Sequence, residues 1–179
     1  MTSRHPNPRR LDVAAVAADG LVLDGRWPLS GFARLSEEAA QDGDVTWSVS
    51  GQRRAVAGGQ PQAWLHLAAQ ARVWLECQRC LQPVALDLEV ARWLHFVADE
   101  ATAEALDAES EEDVLALPRS LDLHELVEDE LLLALPLVPM HARCPQPLPM
   151  AAGEAAVEPA PNPFAALAGL KPARKGRGR

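Results

Sequence analysis

Leu75-Glu76-Cys77-Gln78-Arg79-Cys80-Leu81-Gln82-Pro83 places a C-x-x-C turn between two runs that both alternate apolar with other residues. Upstream, Ala63, Leu65, Leu67, Ala69, Ala71, Val73, Leu75 and Cys77 share one parity; downstream, Val84, Leu86, Leu88, Val90, Leu94 and Phe96 do the same. A period of two sends every second side chain to one face of a pleated strand. Two such strands joined by a short turn make an antiparallel hairpin, with Cys77 and Cys80 at the end of a rigid β-arm. The opposite face is mixed, with Trp64, His66, Gln70, Arg72, Trp74 and Glu76.

The third cysteine, Cys144, lies about sixty residues further on in His141-Ala142-Arg143-Cys144. Thiolates two residues apart on a tight turn aim at one point, and an H-x-x-C element completes four tetrahedral donors of the kind zinc prefers. Cys77, Cys80, His141 and Cys144 are therefore the candidate ligands of a structural zinc. The long gap between the halves leaves two other readings in place, a redox thiol pair and a reduced structural turn.

Working outward, Leu11 to Ala18 carries apolar residues on one helical face and Gly20 is placed to end that helix. Phe32 and Leu35 have the spacing of a short helix opening at Ser30, and Val45, Trp47 and Val49 alternate with polar residues as a half-buried strand does. On the C-terminal side, Ala98 to Asp113 is rich in Ala, Glu and Asp with no strong apolar period, which predicts a mobile acidic loop over 98–113. Asp122 to Leu135 is the strongest helix: Asp122 and Glu125 form a capping box, Leu123, Leu126, Val127 and Leu131 make a stripe, and Pro136 stops it. Its Glu128, Asp129 and Glu130 read as a solvated acidic face, and His124 as a surface residue. From Pro145 onward the chain is dense in Pro and Ala and reads as disordered. Within it Phe164, Leu167 and Leu170 give a short helix over 162–171 one small apolar face, a docking peptide for a partner surface.

Together these elements predict an α+β domain over 1–144. It has a central antiparallel β-sheet with a long CxxC-tipped hairpin, short N-terminal helices, one C-terminal acidic amphipathic helix, and a disordered tail over 145–179. The composition agrees, with 48% hydrophobic residues but only 4% aromatic, so that Ala, Leu and Val fill the core. Three cysteines and no secretory leader point to a reducing cytoplasm and against a disulfide framework. The longest apolar run, Leu131 to Met140, is half the ~20 residues a membrane span needs and contains two prolines.

The formal charge of −8 argues against a generic nucleic-acid binder, yet it is unevenly placed. Asp99 to Glu130 holds many acids and one arginine, whereas the last nine residues carry Lys171, Arg174, Lys175, Arg177 and Arg179 and no acid. Those five cations are the candidate RNA contacts, and Arg53, Arg54, Arg72, Arg79 and Arg92 are expected to gather on one face of the sheet. Catalytic motifs are missing from the sequence: there is no nucleophile elbow and no Gly-rich phosphate loop, and nothing indicates a small-molecule substrate.

Several stretches in order resemble the YceD family, the large ribosomal RNA subunit accumulation proteins of bacteria and plastids. They are Leu75-Glu76-Cys77-Gln78-Arg79-Cys80, the run Val127-Glu128-Asp129-Glu130-Leu131-Leu132-Leu133-Ala134-Leu135-Pro136-Leu137-Val138-Pro139-Met140-His141, then Cys144, and Pro161-Asn162-Pro163-Phe164-Ala165-Ala166-Leu167. The resemblance implies a non-enzymatic cytoplasmic factor for synthesis, processing or stability of 23S ribosomal RNA. Its implied partners are precursor 23S ribosomal RNA or a basic large-subunit ribosomal protein. It also implies variation at the second half of the ligand set, where some relatives have two cysteines in place of His141 and Cys144. Two other readings stay beside it. One is a protein-binding adaptor without RNA contact. The other is a thiol oxidoreductase using Cys77 and Cys80, against which Pro83 and the strand after it argue, since redox pairs usually sit at a helix N-terminus.

Overall fold

A computed structural model describes residues 6–39, 41–56 and 59–146. The chain divides into two units, 1–144 and 145–179. Phe164, Leu167 and Leu170, the cations Lys171, Arg174, Lys175, Arg177 and Arg179, and the rest of the tail from residue 147 on lie outside the described residues.

The first unit is α+β, with elements in the order α1 (Val13–Asp19), β1 (Val22–Pro28), α2 (Ala33–Glu38), β2 (Asp44–Arg54), β3 (Gln62–Glu76), β4 (Pro83–Val97), α3 (Glu100–Asp107), β5 (Asp113–Ala116) and α4 (Leu123–Leu133). The five strands lie side by side in sequence order. β1 to β4 form antiparallel pairs, and β5 adds to β4 in parallel, so the antiparallel centre expected from the alternation acquires one parallel edge. The hairpin is the backbone of the sheet: Ala63 faces Phe96 at its base and Glu76 faces Pro83 at its tip. Fifteen residues per strand span roughly 50 Å at the rise of an extended chain.

The shared parity lands as read. Leu65, Leu67, Ala69, Ala71, Val73, Leu75 and Cys77 on β3 and its end, and Val84, Leu88, Val90, Leu94 and Phe96 on β4, are buried in one core. α1 covers β2 and β3, while α4 covers β3 and β4 and leans on α2. Asp12 caps α1 by accepting from the Ala15 N–H, and Gly20 ends it in a left-handed conformation, as expected. Gly51 lets α1 lie directly on β2: a Cβ there would sit 2.3 Å from the Val16 carbonyl oxygen.

Four local expectations are corrected. Residues 98–113 are not one loop, because Asp99 caps α3 through the Thr102 N–H and Ala103 buries against Val97 and Val114, which gives a polar segment a small apolar anchor. His124 is buried: it stacks on Phe32 with ring centroids 4.0 Å apart and packs against Trp27. Glu128 and Glu130 are buried too, each beside an arginine distant in sequence: Arg34 holds the Glu128 carboxyl below its ordinary value, whereas burial pushes Glu130 up despite Arg92. The five sheet-region arginines do not share a face. Arg54 lies over the rings of Trp64 and Trp93 and Arg72 pairs with Asp87, whereas Arg92 reaches Asp113 and Glu130 and Arg79 leaves the sheet for the hairpin tip.

Candidate metal centre

The hairpin tip is a knuckle, not a plain turn. After β3 the Cys77 N–H donates to the Gln82 carbonyl at 3.0 Å and the Leu81 N–H donates to the Cys77 carbonyl at 2.8 Å. Leu81 takes the left-handed conformation, φ 57°, that turns the chain back into β4. A bulky residue there carries a local cost that surrounding contacts must offset. The result brings the side chains of Cys77 and Cys80 to the same side.

The second half arrives after α4. Ala134 and Pro136 end the helix, and residues 137–144 run across the tip without regular structure. The Gln78 N–H donates to the Pro139 carbonyl at 2.9 Å, which registers this strap against the knuckle. His141 and Cys144 then fall beside Cys77 and Cys80, and the four donor atoms all lie within 4.8 Å of one another. All four ligand candidates read from the sequence are therefore brought together.

These residues fit zinc. A tetrahedron with Zn–S of about 2.3 Å and Zn–N of about 2.05 Å has S···S edges of about 3.8 Å and S···N edges of about 3.6 Å. The Cys80 Sγ to His141 Nδ1 distance is 3.5 Å. The imidazole is already oriented, because its Nε2 lies 3.1 Å from the Pro83 carbonyl, which can only accept; Nε2 thus holds the proton and the Nδ1 lone pair faces the sulfurs. Such an outer hydrogen bond is the usual device that fixes a ligating histidine.

The sulfurs differ in character. Burial pushes the Cys77 thiol up, but the backbone N–H groups of His141, Arg79 and Cys80 outweigh it and bring Cys77 down to about 5. The His141 N–H lies 3.4 Å from that sulfur. Burial raises Cys80, and the neighbouring Cys144 and Cys77 raise it further. Three sulfurs this close do not all carry charge unless a cation sits among them.

Arg79 is the residue that sequence reading misplaced. Its Nε donates to Cys144 Sγ at 3.0 Å and its Nη2 donates to the His141 carbonyl at 2.8 Å. A cation between the two cysteines of a C-x-x-C was the available signal. The Pro83 carbonyl had none, because backbone partners leave no trace in residue identity. Elsewhere among the described residues no helix is long and apolar enough to cross a membrane.

The family model described as "Large ribosomal RNA subunit accumulation protein YceD" matches residues 65–171. A relative with that same description, from Haemophilus influenzae, is 35% identical over 176 residues, covering 92% of this chain and 95% of its own. No solved structure matches the chain.

Proposed function

Because the chain belongs to the YceD family of large ribosomal RNA subunit accumulation proteins, we propose that it is a non-enzymatic cytoplasmic factor that supports the synthesis, processing or stability of 23S ribosomal RNA during large-subunit assembly, with a structural zinc at the hairpin tip. The Cys3His arrangement carries the metal part of this reading. Four protein donors fill a tetrahedron and leave no position for water or substrate, which is the pattern of a structural site and not of a catalytic one. The knuckle also supports a non-redox role. Cys77 follows a strand and Cys80 precedes one, so neither thiol has the helix N-terminus that activates redox pairs.

The partner contacted by the first unit is a basic large-subunit ribosomal protein. Residues 1–144 hold 12 arginines, no lysine and 23 carboxylates, a net −11, which repels a phosphate backbone and attracts a cationic protein over distance. Leu81 on the knuckle, Leu133 at the end of α4, and Leu137, Val138 and Met140 on the strap are each at least half exposed. Large apolar side chains gathered on a monomer's surface mark contact sites. Acidic charge thus steers, and the apolar strap contacts. The cationic tail, with Lys171, Arg174, Lys175, Arg177 and Arg179, is the part suited to ribosomal RNA, and Phe164, Leu167 and Leu170 form a second docking element.

The test is sedimentation of lysate on a gradient combined with a photo-crosslinking residue in place of Leu137. The expected result is co-migration with pre-large-subunit particles and a crosslink to a basic ribosomal protein. Absence from every ribosomal fraction overturns the assembly role, and a crosslink from position 137 to RNA alone overturns the partner assignment.

A further inference from the structure

Every other arginine that forms an ion pair among the described residues does so with a carboxylate, namely Arg9, Arg26, Arg34, Arg72 and Arg92. Arg79 sits in the same strongly acidic unit and meets none there. Its guanidinium instead spans from the knuckle to the strap, with one N–H on the Cys144 sulfur and another on the His141 carbonyl. These partners are 65 and 62 residues away in sequence. The contact is two-pointed, which suits a planar guanidinium and not an ammonium. Around it the ligand set has its own charge balance: a divalent ion held by three thiolates and a neutral imidazole carries one net negative charge.

From this geometry we propose that Arg79 is the latch and counter-ion of the metal centre. It holds the His141–Cys144 arm against the Cys77–Cys80 knuckle, and it balances the residual charge of the loaded site. The assignment rests on the zinc reading above and adds a residue to it. Arg79 is not a ligand: it acts through Cys144, by donating to a sulfur that also bonds the metal, and through the His141 backbone, by fixing where that residue stands. Outer partners of this type commonly change metal affinity by about 10- to 100-fold. Lysine at this position keeps the charge but loses the second contact, and methionine keeps neither.

The experiment uses the full chain and zinc, with Arg79→Lys, Arg79→Met and, as a control for loss of an exposed arginine, Arg72→Met. Metal content is measured first, then zinc affinity by competition with a chromophoric chelator, then the order in which iodoacetamide alkylates the three cysteines in the loaded protein. Expected are one zinc per wild-type chain, affinity lowered about 10- to 100-fold in Arg79→Met and by less in Arg79→Lys, and no change in Arg72→Met. Cys144 becomes the first sulfur alkylated in Arg79→Met, a change confined to the sulfur that loses its N–H donor. If wild type holds one zinc and both Arg79 variants match it in affinity and alkylation order, the latch is wrong and the zinc site stands. If wild type takes up no zinc, both fall. Should Arg79→Met fail to fold, Arg79→Lys decides: wild-type affinity in that variant refutes the two-point contact.

Discussion

Glu128 joins α4 to the start of α2, and its removal should be among the costliest single changes in the domain. α2 has Phe32 at its N-cap and no side-chain cap of its own. The first-turn N–H groups of Arg34 and Leu35 donate instead to Glu128 Oε1, at 2.7 and 3.1 Å, and the Arg34 guanidinium reaches Oε2 at 3.1 Å. In Glu128→Ala the two backbone donors lose their acceptor, at about 1–3 kcal/mol each. The carboxylate at a helix N-terminus adds about 0.3–1 kcal/mol. The Arg34 pair adds little, because that side chain is half exposed and water screens it. Part of the sum returns, since a buried carboxylate no longer needs desolvating, so a net loss of roughly 3 kcal/mol is expected. Glu128→Gln keeps the oxygen facing α2 and should lose about half as much. Urea unfolding followed by tryptophan fluorescence measures both. The pH dependence has a definite sign. Burial pushes the Glu128 carboxyl up, but the Leu35 and Arg34 N–H groups and the Arg34 charge hold it below its ordinary value. Its contribution is therefore complete above the unfolded carboxyl range and is lost as pH falls through the lower folded value. The gap between wild type and Glu128→Gln should narrow in acid. A loss under ~0.5 kcal/mol in Glu128→Ala at neutral pH would refute the capping role.

Burial, and next the charge of Arg9, hold His124 below its ordinary pKa, outweighing Asp122 and Glu128. The unfolded chain then takes up the proton first, so stability should decline as pH drops below about 6.5, and less steeply in His124→Phe, which keeps the ring stack; equal declines would remove His124 from the account. Gly51→Ala forces a Cβ into the Val16 carbonyl and should cost at least ~2 kcal/mol with α1 displaced from β2; a silent substitution in a thermal melt would contradict that close approach. Chelation of a zinc-loaded chain should lower the melting temperature. Restoring free zinc to 100 times its dissociation constant should recover about 2.7 kcal/mol in wild type and far less in Cys144→Ala; a melting curve indifferent to chelator counts against the metal.

What the sequence made legible was whatever repeats. Eight positions of one parity before the knuckle and six after it leave little freedom in how β3 and β4 pair, and their length set the hairpin as the centre of the sheet. β1 was not legible, because Asp24, Gly25, Arg26 and Pro28 give no strand pattern; it exists because β2 offers a ladder and Trp27 stacks on Trp47 at 4.4 Å. The same holds for Glu128, Glu130 and His124. Each looks solvated on its own helix and is buried by a partner far away in sequence, Arg34, Arg92 or Phe32. The meeting of Cys77, Cys80, His141 and Cys144 was legible from spacing, since a C-x-x-C and an H-x-x-C each set two donors a turn apart. Their outer contacts were not, because they run through the Pro83 and His141 carbonyls.

The strap over 137–144 is held in an unusual way for a segment so apolar. Its fixed points are polar: the Gln78 N–H on the Pro139 carbonyl, Arg79 on His141 and Cys144, and the ligand set itself. Leu137, Val138 and Met140, which would ordinarily anchor such a segment by burial, stay exposed. Each could be removed from water for about 1.5–3 kcal/mol, and the domain leaves that stabilisation unused. A segment that takes its position from a cysteine-histidine cluster and a guanidinium, and keeps its apolar side chains outward, is built to offer them to another surface. Stripping zinc from a loaded chain should accordingly also release the partner, because the proposed ligands are the same residues that place the contact.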